Sequence, residues 1–340
     1  MAHLATKRFN YWSQLAILAG ITGFGFIVGA VLSLIPLLGS LNLSDFKSLS
    51  SSQVMDNLFK QENASALRWM QFISTLFLFF LPPVFYAWIC HKKPFIHLGF
   101  TRNLNLPSVG TVILIMFASL FLVGALQELT EMLPWSKATL ARFKEAEDSY
   151  NKVVAVMARM DNFQDYLITV LIVAFLPAVF EETLFRGALQ NLLSRWLKMP
   201  ILAIVITAAF FSAVHGSYLG FLSRFALGFV LGWMYYRTGN LWLNILGHFF
   251  NNAFAVTYMY LASQKGQKID PSKIDDRFPL WMGLVSILVV YGLFMLFEKV
   301  NKKEISHPGD ELPMPGIAYT NNPFFSDATV PDKPEPLTRE

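Results

Sequence analysis

Long apolar runs, rather than polar/apolar alternation, organise this chain. Predominantly apolar stretches occupy about 14–38, 69–90, 107–127, 163–197, 200–215, 219–236, 241–262 and 279–298. A bilayer core ~30 Å thick is crossed by roughly 20 residues of helix. A lipid-embedded backbone must also satisfy its own hydrogen bonds, within a helix or a closed barrel. The expected fold is therefore all-α, a polytopic membrane helix bundle with about eight transmembrane helices. The stretch at 200–215 is the shortest, and its ends are the least defined. The first stretch follows Lys7 and Arg8, as a signal peptide would. Its apolar run is too long for an h-region and no clear small-x-small site follows, so it is read as a span.

Two segments depart from this pattern. Residues 128–162, ELTEMLPWSKATLARFKEAEDSYNKVVAVMARMDN, mix apolar and charged positions at helical spacing. They predict either an amphipathic helix on the membrane face or a solvated helical hairpin. From His307 onward the chain is rich in Pro, Asn, Asp and Ser, the composition of a disordered tail. No internal repeat is visible.

Composition sharpens the membrane reading. The chain has 340 residues, 54% hydrophobic and only 15% charged, with 32 phenylalanines, whereas soluble domains average ~25% charged residues. The net charge of +4 is small and the basic residues cluster beside apolar runs, so they act as topology anchors and not as a nucleic-acid surface. Lys7 and Arg8, Lys92 and Lys93, Arg195 and Lys198, Arg237, and Lys299, Lys302 and Lys303 fall on one side of an eight-span arrangement. That side is the cytoplasm by the positive-inside rule, with both termini on it. The expected location is a bacterial cytoplasmic membrane, with the lipid bilayer as a partner. The single cysteine, Cys90, excludes an intrachain disulfide framework and a cysteine-rich zinc site, and reads as a small apolar filler.

Against this background, FEETLFRGALQ (Phe180–Gln190) is unusual, because it places two carboxylates and a guanidinium directly after an apolar run. A charge at bilayer depth costs ~2.5–3.5 kcal/mol on insertion scales. Glu182 can reach Arg186 four residues on, while Glu181 lies ~100° round the helix. One carboxylate can thus be held by Arg186 while the other, Glu181, faces a cavity. The plain alternative is an interfacial helix carrying a surface ion pair. Two further polar groups bear on the choice. His215 ends the run ITAAFFSAVHGSY, and His248, with Asn244 and Asn252 one turn to either side, lies within NLWLNILGHFFNNAF. Separately, these read as an interfacial histidine and as interhelical hydrogen bonding. A single polar site between the helices accounts for all three segments. His3, His91, His97 and His307 fall in termini or loops and carry no expectation.

Glu, His, His and Asn suit activation of water. Glu181 would take the proton with His215 orienting the water, and His248 and Asn252 would stabilise an oxyanion. Zinc or another divalent metal on Glu181, His215 and His248 would serve the same end differently, by lowering the pKa of bound water. The residues alone leave both routes open, and no H-E-x-x-H helix makes zinc the default. Ser212 lies three residues before His215, but nothing marks it as activated.

These residues also carry a resemblance. EETLFR (Glu181–Arg186), FSAVH (Phe211–His215) and HFFNN (His248–Asn252) resemble the EExxxR, FxxxH and HxxxN motifs of the CPBP family of intramembrane endopeptidases. That family includes type 2 CAAX prenyl endopeptidases and bacterial bacteriocin-processing and immunity proteins. The motifs occur in the same order on separate spans, over about residues 160–262. The resemblance implies hydrolysis of a peptide bond in a membrane-embedded peptide or protein, with Glu181 activating water and His215 as its partner. It makes His248 and Asn252 the oxyanion stabilisers and Glu182 and Arg186 their support. The chain is expected to divide into N-terminal transmembrane helices and loops (1–106), a CPBP-like catalytic helical core that includes the amphipathic loop 128–162 (107–298), and a cytoplasmic, disordered tail (299–340). The competing expectation is a transporter that uses the same cluster as a proton or cation path. Pro177, breaking the fourth span just before Glu181, is the point in its favour.

Overall fold

The computed structural model describes residues 9–38, 63–91, 93–100, 104–266 and 278–305. The tail beyond 305, His3, His307, Lys7, Arg8 and Lys92 lie outside the described residues. All regular structure within them is helical. The longer helices are α1 (Tyr11–Ser33), α2 (Ala64–Cys90), α3 (Leu106–Met132), α4 (Lys137–Met157), α5 (Phe163–Leu197), α6 (Pro200–Ala213), α7 (Phe221–Thr238), α8 (Leu241–Gln264) and α9 (Leu280–Ile305).

Their boundaries follow local chemistry. The side chains of Asn10, Asn105, Ser136, Asn162 and Asn240 accept from backbone N–H groups in the first turns of α1, α3, α4, α5 and α8, satisfying donors that a helix start leaves without partners. Helix α5 ends on Lys198 in the left-handed conformation (φ 55°), and Pro200 opens α6 two residues later. The charged stretch 128–162 is divided between the end of α3 and the single helix α4.

Five helices among the described residues, α1, α2, α3, α5 and α9, are long and apolar enough to cross a membrane, so the chain is a multi-pass membrane protein. The expected count of eight is not reached on this criterion. Helix α6 is apolar but has 14 residues, about 21 Å. Helices α7 and α8 match the expected spans in position, but Arg224 and Arg237 on α7 and Asn244, His248, Asn251 and Asn252 on α8 lower their hydropathy. Many large apolar side chains on the spans face outward, among them Phe24, Trp88 and Leu288, an exposure that lipid accommodates and water would not.

Pro177 does not break α5. The helix runs unbroken through it, with a π-helical segment at Val170–Phe175 just before. Proline lacks an N–H and its ring crowds the carbonyl four residues back. The preceding turn widens in response, and Leu176 N–H bonds the Leu171 carbonyl five residues back. Pro82 and Pro83 stand in the same relation to the π-segment Leu76–Phe80 of α2. The discontinuous helix expected of a transporter is thus absent at Pro177. A second π-segment of α5, Thr183–Gln190, carries the Glu/Arg motif.

Two apolar cores hold the bundle. One joins α1, α2 and α5 through Leu18, Phe79, Tyr86, Phe180, Phe185 and Leu192. The other joins α3, α7, α8 and α9 through Ile115, Met116, Leu231, Leu243 and Phe297. Cys90 is a fully buried member of the first core. Helix α6 packs on α7, and α8 lies against both α3 and α5, so α5, α6, α7 and α8 meet where the two cores adjoin.

Candidate active site

The site begins with the buried ion pair on α5. Arg186 Nη1 donates to Glu182 Oε1 at 2.6 Å, with both side chains wholly buried. The desolvation cost of such a pair is offset by further contacts, although Arg186 Nε and Glu182 Oε2 have no hydrogen-bond partner among the described residues. Arg186 Nη2 donates to the Gly228 carbonyl of α7 at 3.1 Å, and Arg186 Cζ lies 4.7 Å over the Phe211 ring. Gly228 also lets α6 pack closely on α7, because a Cβ there would stand 3.2 Å from Ala208. Gln190 Nε2 donates to the Gly232 carbonyl at 2.8 Å and Asn244 Nδ2 to the Leu231 carbonyl at 2.6 Å. Arg186, Gln190 and Asn244 therefore fasten α5 and α8 to successive turns of α7.

His248 comes to this pair from α8. Its Nδ1 lies 2.9 Å from Glu182 Oε1, the same oxygen that accepts from Arg186. With Nδ1–H donating to a carboxylate, the neutral imidazole keeps its lone pair on Nε2. His215, just past the end of α6, is oriented similarly, with its Nδ1 2.7 Å from the Phe211 carbonyl. Its Nε2 is then also an acceptor. The Phe211 ring packs edge-on against both imidazoles, at 4.9 Å from His215 and 5.7 Å from His248.

Glu181 completes the constellation. Its Oε2 lies 3.8 Å from His215 Nε2 and 3.9 Å from His248 Nε2, and this buried oxygen has no hydrogen-bond partner among the described residues. Those separations exceed a direct hydrogen bond and match groups that share a third polar atom of water's size. Such an atom would meet a carboxylate oxygen and two imidazole nitrogens at once.

Five of the six expected site residues, Glu181, Glu182, Arg186, His215 and His248, are thus brought together. Asn252 stands one helical turn beyond His248 and shares a 3.4 Å contact with Asn251. Ser212 donates to the Phe221 carbonyl at 2.7 Å and so has a structural role. The ring of Phe211 and the side chain of Gln190 were not expected to take part. The only sequence signal for Gln190 is its position four residues after Arg186.

Zinc or another divalent metal would need Glu181 Oε2 and both Nε2 atoms to converge. The donor types suit such an ion, but among the described residues no group of three or more His, Cys, Asp or Glu side chains is gathered to hold one. The mechanism proposed below is written for the protein's own side chains alone.

The connection after α2 holds His91 and His97, which carried no expectation. Both are buried, and their rings stack at 3.3 Å. Burial, and next the nearby Arg195, push the His91 imidazole down to about 3. Burial, then His91 and Arg195, hold His97 well below the usual range.

Residues 163–254 match the family described as type II CAAX prenyl endopeptidase Rce1-like. The uncharacterized protein YpbD of Bacillus subtilis (strain 168) is 35% identical over 88 residues, which cover 25% of this chain and 42% of that protein. No solved structure matches the chain. The matched residues run from the start of α5 to the middle of α8 and contain every side chain of the constellation. Residues 163–254 therefore form an Rce1-like type II CAAX prenyl endopeptidase (CPBP) family domain.

Proposed function

We propose that this protein is an intramembrane endopeptidase that hydrolyses a peptide bond of a membrane-associated peptide or protein with water activated by Glu181. The observation that carries this reading is the Glu181 carboxylate oxygen set 3.8 and 3.9 Å from two imidazole nitrogens in a buried site.

In this mechanism a water sits between Glu181 Oε2 and the two Nε2 atoms. Glu181 takes one of its protons as the oxygen attacks the scissile carbonyl carbon. The C–O bond forms and the carbonyl electron pair moves onto oxygen. That oxyanion is stabilised by Asn252 and by His248 in its protonated form, whose charge Glu182 offsets. The C–N bond then breaks as the proton held on Glu181 passes to the leaving nitrogen, regenerating the carboxylate. Neutral His248 presents an acceptor at Nε2, so its oxyanion role requires the imidazolium.

The test is cleavage of a membrane-embedded reporter peptide by purified full-length protein. Glu181→Gln and His248→Ala should each lower the rate roughly a hundredfold or more while the melting temperature shows a retained fold. Unchanged cleavage in either variant removes the proposed roles. Activity should also survive exhaustive chelation. Loss on chelation with recovery on added zinc would replace this route with a metal-dependent one.

A further inference from the structure

We propose that Arg224 is a specificity-determining residue that binds a carboxylate of the substrate beside the catalytic groups. The inference deepens the endopeptidase reading and rests on it.

Arg224 lies in the first turn of α7, four residues before Gly228. Residues four apart share a helix face and are separated by ~6 Å along the axis. Gly228 is the residue whose carbonyl receives Arg186, so Arg224 stands one turn from the site's buried guanidinium, toward the His215 end. It is close enough to act electrostatically on the His215 imidazole.

Its own surroundings give its guanidinium no direct partner of opposite charge. Among the described residues no ion pair joins Arg224 to an acid, and its Nη1 is a buried atom without a hydrogen-bond partner. Its cation lies 5.3 Å from the Tyr150 ring of α4, which holds the group in place without offering an acceptor of charge. Glu147 on α4 accepts from Ser217 Oγ at 2.6 Å and keeps its charge, but it forms no ion pair with Arg224. Gly220 makes room for the guanidinium, since a Cβ there would fall 2.0 Å from Nη1.

Arg186 and Arg224 thus differ in kind. The first is neutralised within the protein by Glu182. The second has no ion-pair partner among the described residues, and its buried Nη1, like Arg186 Nε, lacks an acceptor; it stands beside the place where a peptide must lie for Glu181 to act. A buried donor left without an acceptor is costly, and a carboxylate supplies charge and acceptor together in a forked geometry that guanidinium fits. The carboxylate can come from a peptide's C-terminus or from an acidic side chain near the scissile bond.

Binding to the full-length protein in detergent tests this without relying on turnover. The probes are acetyl-Leu-Phe-Ala as the free acid and as its amide, and acetyl-Leu-Phe-Glu-amide against acetyl-Leu-Phe-Gln-amide, titrated calorimetrically. The unsubstituted protein should prefer the acid member of at least one pair by about tenfold or more. Whichever pair shows the preference identifies the source of the carboxylate. Arg224→Gln should abolish the preference with its melting temperature retained, and Arg224→Lys should keep part of it. Equal binding within both pairs, binding of no probe, or a preference that survives Arg224→Gln overturns the proposal. Acid-selective binding by a protein that cleaves no reporter would instead defeat the endopeptidase reading and leave the carboxylate site standing.

Discussion

At the scale of single residues, the site depends on adjacent carboxylates with unlike partners. Glu182 accepts from Arg186 and His248 on one oxygen, whereas Glu181 Oε2 has no hydrogen-bond partner among the described residues. The ~100° between consecutive helical residues enforces this division, and it is legible in the spacing of EETLFR. The partner of His248 is not legible there, because Glu182 and His248 are 66 residues apart. Arg186→Ala would leave the Glu182 charge buried beside His248 with its cation removed. It should cost about 3–5 kcal/mol of stability, read as a lowered melting temperature in detergent. A variant as stable as the parent would show that the pair does not fasten these helices. Phe211→Ala should lower the cleavage rate more than the melting temperature, because its ring sits against Arg186, His215 and His248 together.

At the scale of elements, two features shape the site. The first is the widened turn that Pro177 imposes on α5 ahead of Glu181. It accommodates the proline without unwinding the helix and so sets the angular positions of Glu181 and Glu182. The second is the segment around His91 and His97, which is tied to the helices that build the site. Asn191 Nδ2 on α5 donates to the His97 carbonyl at 2.9 Å, Tyr235 Oη on α7 donates to the Leu98 carbonyl at 3.2 Å, and Leu241 N–H of α8 donates to the Gly99 carbonyl at 2.8 Å. Both imidazoles are held neutral, His91 at about 3 and His97 well below the ordinary value of 6.5. The folded pKa values lie below the unfolded one, so between them the unfolded chain binds more protons. This contribution to stability is complete above about pH 6.5 and is lost as the pH falls toward 3. The melting temperature should therefore drop across that window, and His91→Gln should flatten the drop. Superimposable profiles for the two proteins would show that the pair is not responsible. A sequence reading passes over these histidines because they flank Pro94 in a short connection, where polar residues are ordinarily solvated.

At the scale of the whole molecule, the family match covers residues 163–254, while the bundle extends well beyond it. Helix α9 packs along α3, and α1 and α2 pack against each other and α5. Arg68 on α2 clamps the end of α4, donating to the carbonyls of Met157 and Arg159. The unmatched helices thus enclose the matched domain and hold α4 beside the His215 loop, where Phe143 stacks on Tyr218 at 4.7 Å. Orientation in the membrane is predicted from the basic residues beside the spans, which place Lys93, Arg195 and Arg237 in the cytoplasm. Single cysteines introduced at Lys93 and Lys198 in a Cys90→Ala background should be protected from an impermeant thiol reagent added outside intact cells, and one at Lys144 should react. The reverse pattern would invert the topology.

The sequence by itself determined the helical class, the positions of the apolar segments and the short set of polar side chains from which a site could be built. Each follows from local composition and helical period, which need no distant partner. Tertiary structure alone decided how those side chains divide their work. It made Asn244 a fastener and His248 the partner of Glu182, and it set Glu181 across from two imidazoles. It also left Arg224 without an ion-pair partner among the described residues. The reason is physical: a buried polar group is defined by the atoms that satisfy it, and here those atoms come from helices that meet only when the bundle packs.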